Sequence, residues 1–182
     1  MRRQFYLLLL IPVVLGCNLA NLVKKKVDES QKPTTLTSSD SKTELTIPGG
    51  WRAEKQLNET AVLQAAHRFQ EMYIIVIRES KQDFAEDATL EDFAASSRTG
   101  MMSSLKQSLA TDPVAARIRD YSAMEYQLEG TADKIKVKYI CTAVETPNYY
   151  YQIITWTLPS RFEKNQATLR QVAQSFKELK SD

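Results

Sequence analysis

The pattern of apolar and polar positions is sharpest at Met72 to Arg78. Met72, Ile74 and Val76 point one way along this strand, and Tyr73, Ile75 and Ile77 the other. A strand apolar on both faces is covered on both faces. Upstream, Leu45 to Ile47 reads as a short strand stopped by Pro48-Gly49-Gly50, with Trp51 following, and Ala61 to Ala66 as a second. Thr89 to Leu109 is predicted as a helix. Thr89 caps it and Asp92 reciprocates. Leu90, Phe93, Ala94, Ser97, Met101, Leu105 and Leu109 form its stripe, and Asp112-Pro113 stops it. Met124 to Glu129 alternates strictly, the mark of a half-exposed strand. Lys134 to Glu145 and Tyr149 to Thr157 form a hairpin about Thr146-Pro147-Asn148. Phe162, Leu169, Val172, Ala173, Phe176 and Leu179 mark a C-terminal helix. These elements predict an α+β class, an antiparallel sheet sandwiched between helices on both faces.

The N-terminus has a different pattern. Arg2 and Arg3 precede an eleven-residue apolar core, Phe5 to Leu15, and Gly16 stands before Cys17. That is the layout of a secretory signal. A membrane span needs about 20 apolar residues, and here Asn18, Asn21 and Lys24 to Lys26 end the run. Val14-Leu15-Gly16-Cys17 resembles the bacterial lipobox, which implies lipid on the Cys17 sulfur, cleavage before it and a fatty acyl (palmitate-type) group on the new amine. Two or more acyl chains hold a protein firmly on a bilayer, because each buried methylene adds about 0.8 kcal/mol. The expected division is a signal peptide at 1–16, a lipid anchor and flexible tether at 17–43, and one folded domain at 44–182. The tether has a reach of roughly 25–30 Å. Lys24 to Lys26 either meet anionic head groups or are a solvated linker.

Removing residues 1–16 takes away two arginines and no acid, leaving 22 basic and 22 acidic side chains. A neutral, exported chain has no nucleic-acid partner. With Cys17 acylated, Cys141 is the one remaining thiol, so the fold rests on its hydrophobic core.

His67 is the sole histidine, no Gly-x-Ser-x-Gly elbow exists, and the five glycines are scattered. Hydrolase triads and multi-histidine zinc sites therefore lack their parts. His67 is expected at the surface. Asp83, Glu86, Asp87, Glu91 and Asp92 are the densest acids; they suit the helix dipole better than a calcium loop. No catalytic residue, cofactor or metal is assigned. Lys134, Lys136 and Lys138 alternate on one strand face, as a docking stripe or as guards of a sheet edge. Tyr149, Tyr150, Tyr151 and Trp156 are possible partner contacts. Alternation sends Tyr150 to the face opposite Tyr149 and Tyr151, so at least one packs in the core.

The strand entering Ile47-Pro48-Gly49-Gly50-Trp51 resembles the opening of PsbP-like (DcrB-like) domains. The long middle helix, the C-terminal hairpin and a last helix ending at Ser175-Phe176-Lys177 resemble the remainder, over Glu44 to Lys180. The resemblance implies a compact sandwich used for binding, with no common catalytic motif. The expected function is a lipid-anchored, extracytoplasmic binding protein, in periplasm or lumen, that docks on a membrane-protein complex and helps assemble it. The alternative is a small-ligand carrier or an enzyme with a pocket between sheet and helix.

Overall fold

A computed structural model describes residues 31–179. The expected signal peptide and the expected lipidation site, Cys17, lie outside the described residues. The described chain is mostly antiparallel strand with two helices, an α+β fold. Strands β1 (Thr34–Thr37) and β2 (Thr43–Ile47) form a hairpin, and β11 (Lys177–Glu178) joins the other side of β2. A larger sheet runs β3 (Arg52–Ala53), β4 (Leu63–His67), β5 (Met72–Ser80), β10 (Tyr149–Thr157), β9 (Ile135–Glu145), β8 (Tyr121–Ala132) and β6 (Lys106–Ala110). Strand β7 (Val114–Ile118) pairs the start of β8, next to β6 on the same edge.

The two faces of β5 belong to different clusters, as its pattern requires. Met72, Ile74 and Val76 join Ile140, Val144, Tyr151 and Ile153 against Phe162, Leu169 and Val172 of helix α2 (Phe162–Gln174). Ile75 and Ile77 join Tyr126, Leu128, Cys141 and Ile154, with Met101, Met102 and Leu105 beside them. Helix α1 (Leu90–Ser103) sets Leu90, Phe93 and Ala94 on Ala143 and Tyr150. Its capping box forms as expected: Asp92 N–H donates to Thr89 Oγ1 at 3.1 Å, and Thr89 N–H to Asp92 Oδ2 at 3.1 Å.

Several elements depart from expectation. Helix α1 stops at Ser103, and Lys106–Ala110 is strand β6. Ser103 and Ser104 hydroxyls bond back to the Thr99 and Met101 carbonyls at 2.9 and 2.8 Å. Gln107 then takes φ 52°, making the bulge through which β6 pairs β8. Helix α2 ends at Gln174; Phe176 is buried beyond it, and the chain leaves as β11. Thr34–Thr37, read as tether, is a strand, and the compact unit begins at Pro33 rather than Glu44. Four residues with one leucine carry no usable period; β2 supplies the edge that orders them. Lys134 lies in the two-residue turn after β8, where Asp133 and Lys134 have φ 45° and 72° and Ala132 pairs Ile135. It is therefore not aligned with Lys136 and Lys138.

The Pro-Gly-Gly-Trp turn needs its second glycine. Gly50 has φ 84°, and a Cβ there would lie 2.7 Å from His67 Nε2. His67 is thereby structural: its ring meets Trp51 edge-on at 6.4 Å, and its Nδ1 accepts from Gln70 N–H at 3.2 Å.

Candidate functional site

Helix α1 is anchored by its first two turns. Phe93 stacks on Tyr150 at 4.7 Å, Phe84 meets both rings edge-on, and the Tyr150 hydroxyl donates to the Ala88 carbonyl at 2.8 Å. Past Ala95 the sequence changes to small and flexible residues: Ser96, Ser97, Gly100, Met101 and Ser104 line the sheet-facing space. A Cβ on Gly100 meets nothing within 4 Å. Small side chains cannot reach the sheet, so an open cleft of about 1040 Å³ remains beneath the second half of α1.

Its floor comes from three strands. Ile75 and Ile77 of β5, Ile154 of β10 and Tyr139 of β9 present the face of the sheet that α2 does not occupy. At one end Trp156 lies opposite both Tyr73 and Tyr139 in register; it stacks on Tyr73 at 5.2 Å and tilts against Tyr139 at 6.0 Å. Toward the other end Gln152 Nε2 donates to Glu79 Oε1 at 2.8 Å. The charged lining residues are all acids, Glu71, Glu79 and Asp133. Glu71 is paired with Arg161 at 2.8 Å.

The lining of this space suits apolar contact. Burial, with Cys141 next to it, pushes the Tyr139 hydroxyl up to about 12. Burial likewise pushes the Cys141 thiol beneath it up to about 12. Both stay protonated at neutral pH, and a buried thiol of this kind is unreactive. Each ligand methylene moved from water onto such a floor gains about 0.8 kcal/mol.

The residues singled out from sequence fall in several places. Trp156 is half-buried in the cleft. Tyr150 and Tyr151 are 2% and 0% exposed, one under α1 and one against Phe176. Neither presents its ring to a partner. Tyr149 is half-buried beneath Lys42 and Arg78, 5.7 and 5.0 Å from its ring centre. Lys138 lies over the Phe162 ring at 4.2 Å, and Lys134 and Lys136 are exposed. Sequence reasoning missed Ser96, Gly100, Ser104 and the two exposed apolar tips Phe69 and Ile135. The run Ser-Ser-Arg-Thr-Gly-Met-Met-Ser was the available signal, since a helix face built from serine and glycine buries little.

A model of the PsbP family matches residues 34–178, and the chain belongs to that family. No curated protein matches the chain. Among solved structures, cyanobacterial PsbP from Synechocystis sp. PCC 6803 superposes with a TM-score of 0.59 at 16% identity, over 82% of this chain and 94% of that one. LpqN of Mycobacterium tuberculosis, described as involved in cell envelope biogenesis, gives 0.59 at 12% identity over 85% and 95%. A Pseudomonas aeruginosa protein of unknown function gives 0.53 at 12% over 82% and 99%. Identities this low carry the fold alone. Among the described residues no helix is long and apolar enough to cross a membrane.

Proposed function

We propose that this chain is a non-enzymatic binding protein outside the cytoplasm, held to the membrane by lipid on Cys17, whose cleft under α1 takes an apolar ligand without negative charge. The observation that carries the reading is the cleft itself, about 1040 Å³ over an isoleucine and aromatic floor. Its volume is at the upper end for small-molecule sites. Charged lining of acids alone selects against anions. In this reading α1 covers one face of the large sheet and α2 the other, and the poorly covered half of α1's face is the binding half. Docking on a membrane-protein complex has weaker support, since two of its aromatic anchors, Tyr150 and Tyr151, are buried.

The test is a titration of the full chain with N-phenyl-naphthylamine, an uncharged fluorophore that brightens in apolar surroundings. Saturable one-to-one brightening, abolished by Ser97→Phe with thermal unfolding unchanged, is the expected result. Brightening equal in the two proteins refutes the cleft as the site. For the anchor, a metabolic fatty-acid label on the wild type is expected to vanish in Cys17→Ser; a label that survives removes Cys17 from the account.

A further inference from the structure

At one end of the large sheet the chain turns three times, at Arg68–Gln70, at Asp133–Lys134 and at Pro159–Arg161. Strand register puts these turns together, because Trp156 lies opposite Tyr73 and Tyr139 and Thr157 opposite Lys138. The cleft reaches this end, where Glu71, Asp133, Ile135 and Leu158 line it. Two apolar side chains stand out from the turns: Phe69 is 84% exposed and Ile135 56%. Arg161 fixes the first of them beside the mouth. Its Nη1 donates to the Phe69 carbonyl at 3.3 Å while its Nε pairs Glu71 at 2.8 Å.

The charges around these tips are unequal. Glu71 is neutralised by Arg161, and Glu54 by Arg68 at 2.8 Å. Lys134 and Lys136 flank Ile135, are exposed, and make no ion pair among the described residues. Asp133 is the one acid of that turn. An apolar tip between two long cationic side chains suits a bilayer interface, where the apolar group enters and the amines stay among phosphates. Protein contacts instead favour Trp, Tyr and Arg anchors gathered in a pocket. Here the two apolar groups sit on separate loops.

We propose that this end of the domain docks on anionic lipid, with Phe69 and Ile135 entering the interface and Lys134 and Lys136 on the head groups. The surface shares Ile135 with the mouth of the cleft, but docking there does not depend on the cleft being occupied. Where the cleft also binds as proposed above, its mouth meets the bilayer and an apolar ligand passes from lipid to protein without crossing water.

The experiment uses the full chain carrying Cys17→Ser, whose Cys141 is buried. An environment-sensitive nitrobenzoxadiazole label is attached at Phe69→Cys, at Ile135→Cys or at Asn148→Cys, the last exposed in the turn at the opposite end of the sheet. Vesicles of phosphatidylcholine, with and without phosphatidylglycerol, carry a spin-labelled lipid. Labels at 69 and 135 are expected to shift to the blue and be quenched on anionic vesicles, with the label at 148 unchanged. Lys134→Gln with Lys136→Gln is expected to weaken this about 30-fold, from ~1 kcal/mol per lysine. No response at 69 and 135 on either vesicle overturns the proposal and returns these residues to a protein contact. Equal quenching at 148 overturns it too, and indifference to anionic lipid removes the role given to the lysines. Uptake of the uncharged fluorophore reports the cleft and these labels report the bilayer, so the two readings fail separately.

Discussion

Asp40, in the turn between β1 and β2, ties the first hairpin to the large sheet. Its carboxylate accepts from the Arg78 guanidinium, from the Ser38 hydroxyl at 2.7 Å and from the Lys42 N–H at 3.2 Å. The Arg78 hydrogen bond, ahead of the others, holds the carboxyl well below the usual carboxylate range. A depressed folded-state pKa stabilises the protein fully above the unfolded value, about 3.9, and that contribution disappears as the pH falls further. Asp40→Asn is therefore expected to lower Tm at neutral pH and to flatten the loss of Tm below pH about 4. Parallel curves for the two proteins down to pH 2 contradict this role. At this scale the sequence was partly legible. Alternation separated Tyr150 from Tyr149 and Tyr151, but the lysine stripe failed at Lys134, because a two-residue turn at Asp133–Lys134 leaves no glycine to announce it.

At the scale of elements, legibility followed the uniqueness of the period. Strand β5 stands out as an unbroken apolar run, the β9–β10 hairpin by its Thr146-Pro147-Asn148 turn, and the α1 cap by its own chemistry; all were readable. The end of α1 was not. Met101, Leu105 and Leu109 are spaced by four, and residues four apart share a face in a helix and in a strand alike. Steps of four thus let β6 pass for helix. What decides between them is non-local: β8 offers an edge, and the bulge at Gln107 fits the chain to it. Strand β1 was missed for the same reason, since its order comes from β2 and not from its own four residues. A pocket between sheet and helix was the alternative reading, but its lining escaped it, because the cleft consists of side chains too short to fill a space whose width the register of distant strands sets.

In the whole molecule, two kinds of surface meet at one end of the large sheet. The α2 side is filled to 0% exposure at Leu169, Ile74 and Ile153, whereas the α1 side gives way from a packed first half to an open second half. That asymmetry follows from composition: Phe162, Leu169 and Val172 on one helix, against Ser97 and Gly100 on the other and Ser104 at its C-terminal cap. The central claim is that the open half binds. It is tested most directly by methyl NMR of the full chain during titration with N-phenyl-naphthylamine. Saturable shifts are expected at Met101, Ile75, Ile77 and Ile154, with Ile74, Ile153 and Val172 unmoved. Shifts on the α2 side, or none at Met101 and Ile154, contradict it.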